Sequence, residues 1–309
     1  MDDLSPAPGP PAHAAPWPSS GPPPESEDES LRSPVTGWPS WTAPVALVFG
    51  IVLAAVAALV VDLPALALGV NITSSHLPGG VVLLDTVVQD GAFVFAAVFF
   101  ARLGGVRAWA WQFGLRPTRF WQAAGLLVLM LLGYLLLSAV WVEVFHPAKE
   151  KTLEQLGADE GTTLLLLSAA LTCVLAPICE EFLFRGFIFT ALRNWRGTWR
   201  AAIITGVLFG GVHATSAPAL DLVPLAGLGV GLCLLYRFTG SLYPCIVAHS
   251  LNNSLAFGSL EGWGWQTLTL MVTALAVIGL LVLALTRLRV ITPEPSTAAS
   301  GSSAVATGG

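Results

Sequence analysis

Apolar residues in this chain are not spaced as the stripe of a surface helix or the alternation of a strand. They run on in blocks, at 43–61, 80–101, 120–142, 162–192, 201–214, 219–236, 241–257 and 266–286. A helix needs about 20 apolar residues to cross a hydrocarbon core about 30 Å thick, and most of these blocks reach that length. The fifth and seventh are short, and hydropathy alone does not carry them. The pattern predicts an all-α fold: a polytopic integral membrane bundle of about eight transmembrane helices over residues 41–290.

The ends have a different pattern. Residues 1–40 are dense in proline with one acidic cluster, and residues 291–309 are small and polar. Such segments bury too little apolar area to offset their ordering entropy, so both read as flexible tails. The first apolar block has no basic stretch before it, so it does not read as a signal peptide.

Composition and charge then narrow the class. The chain is 54% hydrophobic and 11% charged, where soluble domains carry about 25% charged residues. A net charge of −5 leaves no basic footprint for nucleic acid. The four cysteines (Cys173, Cys179, Cys233, Cys245) sit inside apolar blocks without a CxxC, so they form no disulfide framework. With both termini inside, eleven arginines fall on inner segments (Arg32, Arg102, Arg107, Arg116, Arg119, Arg193, Arg196, Arg200, Arg237, Arg287, Arg289). Only Lys149 and Lys151 fall outside, and Arg185 lies within a span. That bias follows the positive-inside rule and supports an even number of spans. The expected location is the cell membrane, multi-pass, with both termini cytoplasmic and the lipid bilayer as first partner. Most of the tryptophans flank spans, Trp38 and Trp41 among them, as an aromatic belt would.

Four places break the apolar background, and ionisable groups there cost at least ~2.5 kcal/mol each on insertion scales. Span four carries Glu180, Glu181 and Arg185; span five ends in Phe209 and His213. Span seven carries His249, Asn252 and Asn253, and span two carries Asp85, Gln89 and Asp90. Glu181 and Arg185 are four apart and share a helix face, whereas Glu180 points about 100° away. His249 and Asn253 are likewise four apart. Pro177 removes one backbone hydrogen bond just before the acids, which predicts a kink with room beside them. Depth joins these groups. Glu180 and His213 each lie 13 residues from an inner-face arginine, roughly 20 Å along a helix. His249 and Asn253 lie 12 and 16 residues beyond Arg237, roughly 18–24 Å.

Taken singly, each feature has a plain reading. Glu181–Arg185 fits a structural ion pair, His213 a packing histidine, and His249 with Asn253 a glue between helices. Asp85 and Asp90 read as a water-facing edge or a helix-pairing element. The cysteines read as small core residues, and Asn71-Ile72-Thr73 is a short sequon match. Three helices that place their polar groups at one level read instead as a site.

The ordered set EExxxR (Glu180, Glu181, Arg185), FxxxH (Phe209, His213) and HxxxN (His249, Asn253) resembles the motifs of the CPBP intramembrane proteases. That family groups type II CAAX prenyl endopeptidases with bacteriocin-processing and self-immunity proteins, and the resemblance covers roughly residues 120–257. It implies an intramembrane endopeptidase acting on a peptide or membrane-protein substrate. Glu180 would be the base that activates water, assisted by His213. His249 and Asn253 would stabilise the oxyanion, and Glu181 and Arg185 would organise the site. The family is classed among metalloproteases, so a zinc ion is one option: Glu180, His213 and His249 would supply a His₂Glu ligand set. The compact HExxH signature is missing, and metal-independent chemistry is the other option. Two competing readings stay in view: a non-enzymatic scaffold or immunity protein of the same fold, and a proton-coupled transporter.

Overall fold

The computed structural model describes residues 36–69, 78–103, 108–147 and 155–291. Residues 1–35 and 292–309, which make up most of both tails, the Asn71-Ile72-Thr73 sequon, Arg107, Lys149 and Lys151 lie outside the described residues. The regular structure described is helical: α1 (Thr42–Ala67), α2 (Gly79–Ala101), α3 (Phe120–Phe145), α4 (162–196), α5 (198–212), α6 (Leu222–Thr239), α7 (Leu242–Leu260) and α8 (Trp265–Arg287). Short 3₁₀ turns lie at Ala110–Phe113, His213–Thr215 and Ala219–Asp221.

Among the described residues, six helical stretches are long and apolar enough to cross a membrane. One of them, Thr162–Thr215, has 54 residues, and unbroken it would be roughly 80 Å long, far beyond a bilayer core. Gly197 divides it, with φ 76° and ψ 173°, a backbone conformation open mainly to glycine. α7 is long enough, at 19 residues, but its polar residues lower its apolarity below that of the others. The bundle is therefore the expected one, with the two weakest spans being those that a site or a break interrupts.

α4 is the axis of the bundle. Leu183, Phe184, Arg185, Phe187, Ile188 and Phe189 are fully buried, whereas α1, α3 and α8 turn large apolar side chains outward, as lipid contact asks. Trp38 departs from the expected aromatic belt: it is 7% exposed and packs on Phe113 and Phe187, with ring centroids 4.9 and 5.2 Å apart. Just before α1, it packs against α4 at Phe187 instead of facing the interface.

Small residues bring α5 and α6 into backbone contact, since glycine lets membrane helices approach closely. A Cβ on Gly206 would lie 2.7 Å from the Ala226 carbonyl oxygen, and one on Gly229 would lie 2.8 Å from Gly206 Cα. Gly206 and Gly210 are four apart, so both face α6. Gly206→Val is expected to push the helices apart and cost about 1–3 kcal/mol. Unfolding by sodium dodecyl sulfate titration measures this, and an unchanged midpoint would refute the close-contact argument.

The start of α7 is fixed from the other side. Leu242 N–H donates to Gly114 O at 2.8 Å, and Ser241 Oγ donates to Arg116 O at 2.6 Å. Arg116 Nε donates to Gly240 O at 2.9 Å. The segment before α3 thus staples the α6–α7 turn and sets the height of α7 against α4.

Candidate active site

Proline chemistry shapes α4 beside the site. Over Leu171–Leu175 the helix runs in the wider π register, and Ala176 N–H reaches Leu171 O five residues back. The next donor in that register would be Pro177, which has no N–H. Its π partner Thr172 O and its α partner Cys173 O are both left without that donor. α7 supplies replacements: Asn253 Nδ2 donates to Thr172 O at 3.0 Å, and Ser250 Oγ donates to Cys173 O at 2.6 Å. Pro177 was expected to open room by a kink. What it does here is expose two carbonyls that dock α7, and single-turn π segments are frequent at functional sites.

One turn further along α4, the acids meet the histidine. Glu181 Oε1 accepts from Arg185 Nη1 at 2.8 Å and from His249 Nδ1 at 2.8 Å. The carboxylate, the guanidinium and the imidazole are all buried. Arg185 continues to α6, where Nη2 donates to Gly229 O at 3.0 Å, and its guanidinium lies 4.5 Å from the Phe209 ring centroid. An ionised carboxylate only accepts, so His249 Nδ1 carries the proton and Nε2 is the free edge of the ring.

That free edge faces Glu180. His249 Nε2 lies 3.8 Å from Glu180 Oε2, and the Glu180 side chain keeps 15% of its exposure. The helical spacing sends Glu180 away from Glu181, and the structure shows why both still serve one group: the two acids flank opposite nitrogens of the same imidazole. Glu180 Oε2 is buried and has no hydrogen-bond partner. At 3.8 Å the two atoms are too far apart for a direct bond.

His213 arrives by a different route. Its Nδ1 hydrogen-bonds Phe209 O at 2.8 Å, which leaves Nε2 available. The Phe209 ring packs against both His213 and His249, with centroid distances of 5.1 and 5.6 Å. Both imidazoles and the Arg185 guanidinium thus gather around one ring. Its place in FxxxH is a packing requirement.

The structure brings Glu180, Glu181, Arg185 and His249 into one cluster, with His213 joined to it through contact with Phe209. Asn253 stands one turn along α7, held by Thr172 through one of its two N–H groups. Asp90 was read as a water-facing or helix-pairing residue of α2. It is 1% exposed, and its carboxyl lies within electrostatic reach of Glu180 and Cys179 on α4. The sequence signal for it was present, an acid inside a span, but nothing in the spacing tied span two to span four.

The zinc option needs three donors gathered. Among the described residues, no three of His, Cys, Asp and Glu stand close enough to hold a metal ion. Side chains alone therefore carry the chemistry proposed for the site.

Residues 162–255 match the family model described as Rce1-like, type II CAAX prenyl endopeptidase. The resemblance read from the motifs holds over this segment, which contains all six candidate site residues. A curated relative, an uncharacterized protein of Mycoplasma capricolum subsp. capricolum, is 29% identical over 93 residues. That match covers 30% of this chain and 27% of the relative. No solved structure matches the chain.

Proposed function

We propose that this multi-pass membrane protein, Rce1-like over residues 162–255, is an intramembrane endopeptidase. Its substrate would be a membrane-associated peptide, CAAX-like or otherwise, and both termini would be cytoplasmic. The observation that carries the reading is the cluster in which Glu180 and Glu181 flank the two nitrogens of His249 inside an apolar bundle.

Amide hydrolysis needs a base for water, donors for the oxyanion and a proton for the leaving amine. Glu180 takes a proton from water, with His213 assisting, and the hydroxyl oxygen bonds to the scissile carbonyl carbon. His249 presents an Nε2 donor to the oxyanion when its ring is fully protonated, and Glu181 stabilises that charge from Nδ1. The second N–H of Asn253 is the other donor. As the C–N bond breaks, the proton held by Glu180 passes to the amine nitrogen. With both acids ionised and Arg185 and His249 charged, the four groups sum to zero net charge, which suits a site buried in lipid.

The test is cleavage of a quenched fluorescent farnesylated CAAX peptide by the purified full chain. Asn253→Ala is expected to lower kcat by about 10²–10³-fold, the usual cost of one oxyanion donor. A kcat within twofold of wild type would remove Asn253 from that role. A strong zinc chelator should leave wild-type cleavage unchanged; abolition that added zinc restores would reinstate the metal option.

A further inference from the structure

The end of the bundle where α4 breaks into α5 carries charge of one sign. Its described segments, 102–103, 108–119, 193–200, 237–241 and 287–291, hold nine arginines and no acidic residue. A bias of that kind orients a membrane protein and by itself makes no site. Shape singles out two of the nine. Trp195, Arg196, Arg200, Ile203 and Ile204 line a cleft of about 320 Å³, at the small end of the roughly 300–1,000 Å³ that ligand pockets span. The break at Gly197 sets Arg196, on the last turn of α4, beside Arg200, on the first turn of α5. Arg200 lies three and four residues before Ile203 and Ile204, so these three share one face of α5. The Arg196 guanidinium sits 3.8 Å from the Trp195 ring centroid, a cation–π contact that holds it in place. Elsewhere at this end, arginines are spent on the fold: Arg116 donates to Gly240 O and Arg237 to Thr198 Oγ1. Arg196 and Arg200 are exposed, and among the described residues neither has a hydrogen-bond or ion-pair partner.

We propose that this cleft binds an anionic phospholipid, with Arg196 and Arg200 on its phosphate oxygens and an acyl chain laid along Ile203, Ile204 and Val207. Guanidinium donors match phosphate oxygens in geometry as well as charge, and basic pockets between membrane helices take lipid head groups. The order of residues along α5 selects a lipid over a soluble anion. Cations stand at the helix start, and Ile203, Ile204 and Val207, all exposed, follow toward the middle of the span. A phospholipid has the same order, phosphate first and hydrocarbon after, whereas a free phosphate has no use for the apolar strip. Trp195 and Trp199 are exposed at the same level, where indole rings sit among head groups. The cleft is separate from the acid–histidine cluster: Arg196 is sixteen residues beyond Glu180, roughly 24 Å of helix. Its occupancy does not depend on the protease reading.

Native mass spectrometry of the full chain in detergent, titrated with dioleoyl phosphatidylglycerol or dioleoyl phosphatidylcholine, tests it. Wild type is expected to bind the anionic lipid more tightly than the zwitterionic one. The double variant Arg196→Gln with Arg200→Gln should lose about 10–30-fold in phosphatidylglycerol affinity, the scale of two cations at a membrane surface, and keep its phosphatidylcholine affinity. Arg287→Gln with Arg289→Gln, at the same end but off the cleft, should bind as wild type does. Equal binding of the two lipids by wild type, or equal losses in the two double variants, would overturn the site and leave only general surface charge. Competition by millimolar glycerophosphate or inorganic phosphate would assign the cleft to a soluble anion and overturn the lipid. Should the cleft variant fail to fold, the comparison of lipids on wild type and the phosphate competition still decide.

Discussion

Glu180→Gln is expected to lower cleavage of a farnesylated CAAX peptide by about 10²–10⁴-fold, the range that a positioned acid–base group contributes. The same substitution should barely move stability. Glu180 makes no hydrogen bond through Oε2, so the amide strands no partner, and His249, whose Nε2 lies 3.8 Å away, keeps the Glu181 carboxylate at its other nitrogen. The comparison is initial rate against unfolding midpoint for the same purified variant. Full activity would strike Glu180 from the mechanism. Lost activity with an equally large loss of stability would assign it to the framework and favour a scaffold.

The bundle itself was legible from hydropathy, because lipid-facing helices must be apolar along their whole length. The six candidate residues stood out for the opposite reason: polar groups at matched depth on different helices contrast with that background. What the sequence left open was geometry that depends on register. Pro177 was visible, but whether it would kink α4 or shift it into a π turn depends on which donors α7 offers. Here Ser250 and Asn253 accept that task by donating to Cys173 O and Thr172 O. The angle between Glu180 and Glu181 was read correctly, yet it concealed that an imidazole between helices can meet both. Asp90 was left between a water-facing and a helix-pairing reading, and its burial selects the second; contact between α2 and α4 is a property of packing, and no spacing rule links residues so far apart in the chain.

Arg185→Met should behave in the reverse way to Glu180→Gln. Arg185 and Glu181 pair at 2.8 Å with neither side chain exposed. Removing the guanidinium leaves the Glu181 carboxylate buried with only His249 to balance it, and cutting one partner from a buried pair costs about 3–5 kcal/mol. The guanidinium also ties α4 to α6 through Gly229 O and stacks on Phe209, so the loss extends to the contact between α5 and α6. Unfolding by sodium dodecyl sulfate titration reads it. The double variant Arg185→Met with Glu181→Gln removes the stranded charge and should recover part of the stability. It should not recover cleavage, because His249 Nδ1 then faces a neutral amide in place of the carboxylate that stabilises the charged ring. If Arg185→Met unfolds within about 1 kcal/mol of wild type, the buried pair is not what holds these helices. The two substitutions thus separate the chemistry from the framework: one acid is expected to matter for rate alone, and the arginine four residues beyond its neighbour for the fold that presents it.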